Sequence, residues 1–167
     1  AVDMNALGAD LLTLAGHKFY APKGVGALVV RTGVAIEPIQ YGAGHEHGLR
    51  PGTENVPHIV ALGEAARLAR AALTQDAARM TVLRDRLHGR LAAGIPGLQL
   101  NGHPTERLPN TLNLSFPAVA GWQLLAAAPS VAASTGSACH AGEHAVSGVL
   151  AAMGLTREAA AGAVRLS

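Results

Sequence analysis

The chain has 167 residues, of which 49% are hydrophobic, 14% charged and 3% aromatic, and its formal charge is +2 at pH 7. This composition supplies enough apolar side chains for a packed core and too few charges for extensive disorder, so we predict a folded globular chain. The small charge and the scattered basic residues argue against nucleic-acid binding. No apolar run approaches the roughly 20 residues of a membrane helix, so we expect no membrane association.

The single cysteine, Cys139, cannot form a disulfide within the chain, and no basic stretch followed by an apolar one opens the sequence. Both features predict a reducing, cytoplasmic location. The sequence starts at AVDM, without an initiator methionine, and ends on the apolar run AVRLS. We therefore expect it to be a segment of a longer protein.

Two buried strands are predicted near the start of the chain, in DLLTL (residues 10–14) and VGALVVR (residues 25–31). The connection between them contains Gly and Pro and carries Lys18. Residues 38–57 are polar and rich in Gly and Pro, which predicts a long irregular loop. Loops of this length inside compact domains are usually functional.

A long helix is predicted beyond Pro57, where apolar residues recur three and four positions apart. Asn55 is the expected N-cap, and Gly94 is the expected end. The polar residues 74–76 leave open a break within this helix.

Short strands and helices alternate through the rest of the chain. The patterns predict a short strand in IPGLQLNGHP, a strand in TLNLSF, a helix in AGWQLLAAAP and a strand leading into a loop in VAASTGSAC. SGVLAAMGL and GLTREAAAG predict two short helices, the second capped by Thr156, and AVRLS predicts a final strand. This alternation indicates a layered α/β fold.

Two residues could act as nucleophiles. Lys18 lies between two predicted buried strands, where partial desolvation would favour its neutral amine and a covalent bond to an aldehyde cofactor. Cys139 lies in the polar stretch TGSACHAGEH beside His140, where its thiolate would be accessible. The plain alternatives are an exposed surface lysine and a small buried apolar cysteine.

Other polar residues suggest ligand contacts. His45 and His47 could share a metal ion, but no third ligand follows at a recognisable spacing, so we predict no metal and favour a polar substrate loop. Arg50 and Thr53 carry donors suited to an anion, although the same stretch also begins a helix. Arg165, in the otherwise apolar AVRLS, could bind a carboxylate or be a surface charge.

In combination, the stretches GHKFYAPKGVGALVVR, GLRPGTENVPHIVALGEA, LPNTLNLSFP, TGSACHAGEHAVSGVLAAMG and AVRLS resemble the cysteine desulfurases, pyridoxal-phosphate enzymes of the class V aminotransferase group. The resemblance covers essentially the whole chain. It implies an α/β architecture of pyridoxal-phosphate fold type I. Residues 1–56 would form the C-terminal part of the large cofactor-binding domain, 57–94 the long connecting helix, and 95–167 most of the small C-terminal domain.

The resemblance also implies how the cofactor, pyridoxal 5'-phosphate, would be held. Lys18 matches the lysine that binds the cofactor covalently, and His17 matches a position that contacts the cofactor phosphate. Thr53 matches a threonine that reaches the phosphate in the neighbouring subunit, which implies a homodimer with shared active sites.

For the substrate, Cys139 matches the catalytic cysteine that receives sulfur from L-cysteine as a persulfide. Arg165 matches the arginine that binds the substrate carboxylate, and Asn113 lies in a family motif as a further substrate-binding candidate. The implied reaction converts L-cysteine to L-alanine. It delivers sulfur to an acceptor protein for iron–sulfur cluster or thio-cofactor biosynthesis.

The sequence departs from the family pattern at several positions. Ala15 replaces a serine often found there, and His45 and His47 replace a glutamine and an arginine, which leaves the substrate preference open. Further cofactor-binding residues of the family would lie upstream of Ala1, so we expect this segment alone to be inactive. The alternatives are a selenocysteine lyase, an aminotransferase without sulfur chemistry, and a non-enzymatic sulfur carrier or interaction module that uses Cys139.

Overall fold

A computed structural model of the chain describes residues 2–136 and 147–167. The chain divides into two compact units, Ala1–Thr74 and Gln75–Ser167. The longest helix, α2 (Val56–Gly94), contributes its first half to the first unit and its second half to the other. In the part of the chain that is described, no helix combines the length and apolarity needed to cross a bilayer.

The first unit is built on an antiparallel hairpin. Helix α1 (Met4–Leu7) is followed by β1 (Leu11–Ala15), which pairs along its whole length with β2 (Gly26–Val30). Both strands confirm the sequence-based prediction. Helix α1 was not predicted, because a single turn is too short to display a helical period.

The burial predicted for this hairpin is wrong in the structure. Leu11 is 46% exposed, Leu14 40% and Leu28 49%. A two-stranded sheet has no inner strand, and its side chains stay accessible unless another layer covers them. The apolar pattern therefore identified the strands but overestimated how far this chain alone buries them.

Arg31 fastens the segment before β1 to the end of β2. Its guanidinium donates to the carbonyl oxygen of Ala9 at 2.8 Å, to that of Met4 at 3.1 Å and to Asn5 Oδ1 at 2.9 Å. Its Nε also lies 3.4 Å from the Asp10 carboxylate. These bonds fix the point at which β1 begins, and with it the position of the turn that β1 leads into.

Helix α2 runs without interruption over Val56–Gly94, so the break considered at residues 74–76 does not occur. Asn55 caps its start, as predicted. The side-chain Oδ1 of Asn55 accepts a hydrogen bond from the backbone N–H of His58 at 3.3 Å. The backbone carbonyl oxygen of Asn55 accepts one from the backbone N–H of Ile59 at 3.0 Å.

The second unit contains an antiparallel sheet in the order β3, β4, β5, with three short helices. These elements confirm the predicted alternation, and Thr156 caps the last helix by accepting from the N–H of Ala159 at 3.2 Å. The strands are β3 (Gln99–Leu100), β4 (Leu112–Ser115) and β5 (Ala163–Leu166), and the helices are α3 (Gly121–Ala127), α4 (Gly148–Ala152) and α5 (Arg157–Ala161).

The strand predicted in VAASTGSAC is wrong for the described residues, where only Ser134 pairs with the sheet, as an isolated bridge to Arg165. The Ser134 hydroxyl donates to the carbonyl oxygen of Gly136 at 2.7 Å and accepts from its N–H at 3.2 Å. Such local side-chain bonds compete with a strand ladder and turn the chain away from it. The rest of the stretch, including Cys139, lies outside the described residues.

The largest fully buried side chains of the second unit lie on one face of β4 and β5. Leu112, Leu114 and Val164 are at most 2% exposed. Because side chains alternate across a strand, Asn113 and Arg165 project from the opposite face. The same face also carries Ala163, which is 1% exposed and belongs to a second apolar cluster with Leu150 and Ala160.

Replacing Leu114 with alanine is expected to lower the free energy of unfolding by about 2–5 kcal/mol, since a fully buried leucine would leave a cavity. Urea unfolding of the full-length protein measures the change. The matched control is Val149→Ala, because Val149 is 69% exposed and should cost less than about 1 kcal/mol. Equal losses for the two variants would contradict this assignment of the core.

Candidate active site

Lys18 lies in a single 3-10 turn, Gly16–Phe19, that follows β1 directly. The turn is tightly held: the N–H of Gly16 donates to the Val25 carbonyl oxygen at 3.0 Å. A Cβ at Gly16 would approach that oxygen to 2.8 Å and Leu62 Cδ1 of α2 to 3.0 Å. Only glycine therefore fits at this point, and the backbone that carries Lys18 is constrained from both sides.

The side chains of Lys18 and His17 are both exposed. Among the described residues, the partial burial that the sequence suggested for Lys18 is therefore not found, because the hairpin beside it is itself exposed. Within the described residues, no hydrogen bond or ion pair engages either side chain. A rigid turn thus presents an amine and an imidazole that are free to bind a ligand, which fits an aldehyde cofactor that carries a phosphate.

Thr53 lies exposed in the loop before α2, in the same unit. Arg50 shapes this loop, because its Nη1 donates to the carbonyl oxygens of Pro51 at 3.1 Å and Gly52 at 3.3 Å. In the described part of the chain, the Thr53 hydroxyl makes no hydrogen bond. The guanidinium predicted to bind an anion thus holds its own loop, and the hydroxyl beside it is free.

The loop around Glu46 is strained. Glu46 and His47 have φ angles of 49° and 58°, and both are non-glycine residues in the left-handed region. His45 Nε2 lies 4.0 Å from Glu54 Oε2, and His45 Nδ1 is buried without a partner among the described residues. Strain of this kind concentrates at functional sites, which agrees with the predicted substrate loop.

In the second unit, four polar residues form a row across the sheet. The N–H of Asn101 donates to the Asn113 carbonyl oxygen at 2.9 Å, and Asn113 is the cross-strand partner of Arg165. Arg165 in turn exchanges two backbone hydrogen bonds with Ser134, at 2.7 and 3.1 Å. Residues directly opposite in antiparallel strands share a face. Two predicted substrate-binding residues, Asn113 and Arg165, are thereby brought together.

A recess of about 270 Å³ opens beside Arg165. Its lining residues are Ala132, Ala133, Ser134, Arg165 and Ser167. Within the described residues, the Arg165 guanidinium makes no hydrogen bond or ion pair. An unpaired guanidinium at an open recess is suited to bind a carboxylate with two hydrogen bonds.

The candidate residues thus fall into two groups. Lys18, His17 and Thr53 belong to the first unit, and Asn113 and Arg165 belong to the second. Cys139, predicted to receive sulfur, lies outside the described residues. Sequence reasoning missed Asn101 and Ser134. The polar pair NG after the short strand LQL was the only signal for Asn101, and the register of the sheet was needed to connect it to Asn113.

The family model for class-V aminotransferases matches residues 1–167. The chain belongs to this family. It is 45% identical over 99% of its length to cysteine desulfurase 2 of Trichormus variabilis and 46% identical over 99% to cysteine desulfurase IscS of Methanosarcina thermophila. The chain spans 42% and 41% of the length of these two relatives.

Two solved structures are similar to this chain over nearly its whole length. A NifS-like protein superposes with a TM-score of 0.84 at 38% identity, covering 99% of this chain and 42% of that one. SspA in complex with cysteine gives a TM-score of 0.71 at 30% identity, covering 99% of this chain and 46% of its own. The predicted α/β architecture of fold type I is confirmed.

Proposed function

We propose that the protein is a cysteine desulfurase that depends on pyridoxal 5'-phosphate. The observation that carries this proposal is the match, over essentially the whole chain, to curated cysteine desulfurases at about 45% identity. The free amine of Lys18 and the free guanidinium of Arg165 agree with it, because they supply a cofactor anchor and a carboxylate anchor.

The proposed reaction is balanced without an external oxidant. The Cβ–Sγ bond of L-cysteine breaks, and a sulfur–sulfur bond forms between the substrate sulfur and Cys139 Sγ. The substrate carbon keeps the electron pair of the broken bond and takes up a proton, which gives L-alanine. The thiol of Cys139 is oxidised to a persulfide, whose outer sulfur then passes to an acceptor protein.

Three residues of the first unit would hold the cofactor. When bound, pyridoxal phosphate supplies an electron sink. Lys18 would bind its aldehyde through Nζ and move protons at that atom during turnover. His17 and the free Thr53 hydroxyl would donate to its phosphate. In our proposal Thr53 does so for the neighbouring subunit, so the active enzyme is a homodimer.

Residues of the second unit would bind the substrate. Arg165 would pair with the α-carboxylate of L-cysteine, and Asn113 would add a donor beside it. Cys139 would attack the sulfur. We further propose a cytoplasmic enzyme that supplies sulfur to iron–sulfur cluster or thio-cofactor biosynthesis, in agreement with a chain that has a single cysteine.

Mass spectrometry of the full-length protein tests this proposal. After incubation with L-cysteine, the peptide that contains Cys139 should gain the mass of one sulfur atom, and L-alanine should appear. L-Serine, which has the same shape without sulfur, serves as the control and should give neither product. A Cys139 peptide of unchanged mass would reject the desulfurase.

The same assay separates the nearest alternative. A selenocysteine lyase should release alanine from L-selenocysteine faster than from L-cysteine and leave little sulfur on Cys139. A cysteine desulfurase should form the persulfide at every turnover with L-cysteine.

A further inference from the structure

Asn101 is buried, with 6% of its surface exposed, at the end of β3. Its Nδ2 donates to Asn113 Oδ1 at 2.7 Å and to Ser115 Oγ at 2.8 Å. Its own Oδ1 is buried without a partner among the described residues. An unpaired buried carbonyl oxygen is costly, and an apolar side chain of the same shape would avoid that cost. Packing alone therefore does not account for an asparagine at this position.

We propose that Asn101 is a positioning residue that orients the carboxamide of Asn113 toward Arg165, so that Asn113 and Arg165 bind one substrate carboxylate together. This inference rests on the proposed function, in which Arg165 binds the carboxylate of L-cysteine. Asn101 itself touches neither substrate nor cofactor and acts through Asn113.

The hydrogen bond from Asn101 fixes which end of the Asn113 carboxamide faces β3. Because Oδ1 accepts from Asn101, the Nδ2 group of Asn113 is left for another acceptor. Within the described residues no hydrogen bond engages that Nδ2. On its other side, Asn113 faces β5, where Arg165 is its direct partner. Opposed residues of antiparallel strands have Cβ atoms about 4.5–5.5 Å apart, which is within reach of one carboxylate.

The chemistry of the two side chains suits this ligand. A carboxylate accepts hydrogen bonds at both oxygens, while the Arg165 guanidinium and the Asn113 Nδ2 are donors only. Without Asn101, the terminal torsion of Asn113 would be free to turn its carbonyl oxygen toward the ligand. An oxygen in that place would repel the carboxylate. The hydrogen bond from Asn101 therefore determines whether the Asn113 carboxamide attracts or repels the substrate carboxylate.

The backbone of Asn101 is held on both sides. Its N–H donates to the Asn113 carbonyl oxygen at 2.9 Å, and its carbonyl oxygen accepts from Arg107 Nη2 at 3.4 Å. Arg107 is fixed by a bond from Nε to the His103 carbonyl oxygen at 3.0 Å. Partial burial and the nearby Arg84 cation lower the pKa of the Arg107 guanidinium. The backbone of Asn101 is thus held by Asn113 on one side and by Arg107 on the other.

The test uses the full-length holoenzyme with Asn101→Leu, a substitution close in shape that removes the donor. We expect KM for L-cysteine to rise about threefold to tenfold, the range for one neutral hydrogen bond, while kcat changes by less than about twofold. The Kd for L-alanine, measured by titration calorimetry, should rise by the same factor. Ser115→Ala is the matched control: it removes the other acceptor of the same amide and should leave both values unchanged.

A double-mutant cycle separates positioning from a general structural effect. Once Asn113→Ala has removed the group to be oriented, adding Asn101→Leu should change KM by less than about twofold. Asn101→Ala repeats the comparison with a smaller side chain, should the leucine variant not fold. An unchanged KM and Kd in Asn101→Leu, or full multiplication of the two single effects, would overturn the proposal.

The two readouts also distinguish this proposal from the proposed function. If the wild type binds L-alanine more tightly than Asn101→Leu does, but forms no alanine from L-cysteine, the positioning role of Asn101 stands and the desulfurase is rejected. Desulfuration that proceeds with KM and Kd insensitive to Asn101 would do the reverse.

Discussion

Replacing Lys18 with alanine in the full-length protein is expected to slow alanine formation from L-cysteine at least about a thousandfold. The amine is proposed both to bind the cofactor and to move protons, and loss of a group with either role costs orders of magnitude. The close contacts around Gly16 hold the backbone of this turn in place. The sulfur gained by the Cys139 peptide should disappear together with the alanine.

Lys23→Ala is the matched control for this prediction. Lys23 lies in the same connection between β1 and β2, is also exposed, and loses the same charge. It should keep at least about half of the wild-type rate, since surface substitutions have small effects. Borohydride treatment followed by mass spectrometry should find the cofactor attached to the Lys18 peptide. Sulfur transfer that persists in Lys18→Ala would remove the lysine from the reaction and favour the sulfur-carrier alternative.

Local patterns predicted most of the secondary structure. The period of apolar residues located β1, β2 and α2, and residue chemistry located the caps at Asn55 and Thr156. These features depend on neighbours within about four positions, which a single sequence displays directly. The continuity of α2 through residues 74–76 shows that a polar stretch need not interrupt a helix, because each of its residues can still make its backbone bonds.

Contacts between distant segments could not be predicted in the same way. An alternating pattern tells which face a residue of β4 occupies, but not which residue of another strand stands beside it. The row that joins Asn101, Asn113 and Arg165 depends on that register. The side-chain bonds of Ser134 that end its pairing with the sheet were likewise invisible, since serine is compatible with both strand and turn.

In the candidate site, too, the sequence predicted which residues matter, and the structure was needed to show their contacts. The motifs indicated Lys18 and Arg165, and the structure adds that neither side chain makes a hydrogen bond or an ion pair within the described residues. It also shows that the Arg50 guanidinium donates hydrogen bonds to the backbone of its own loop, which could not be predicted from the composition of that loop. The role of Cys139 stays a prediction.

Replacing Arg165 with alanine should raise KM for L-cysteine about tenfold to a hundredfold and affect kcat less. Hydrogen bonds to a charged group contribute about 1.5–3 kcal/mol, which corresponds to that range. Arg165→Lys keeps the charge but loses the planar pair of donors, so its KM should fall between those of the wild type and the alanine variant. Steady-state kinetics of the full-length enzyme measures all three.

Arg157→Ala controls for the loss of a positive charge in the same unit. Arg157 is exposed at the start of α5 and is not among the residues proposed to bind the substrate, so its removal should leave KM unchanged. If Arg165→Ala also leaves KM unchanged, the carboxylate binds elsewhere, and Asn113 and Asn101 lose their proposed purpose with it. If KM rises for L-cysteine and L-selenocysteine by the same factor, Arg165 recognises the carboxylate common to both. The choice between sulfur and selenium then lies with other residues, and the strained loop at His45 and His47 is the first place to seek them.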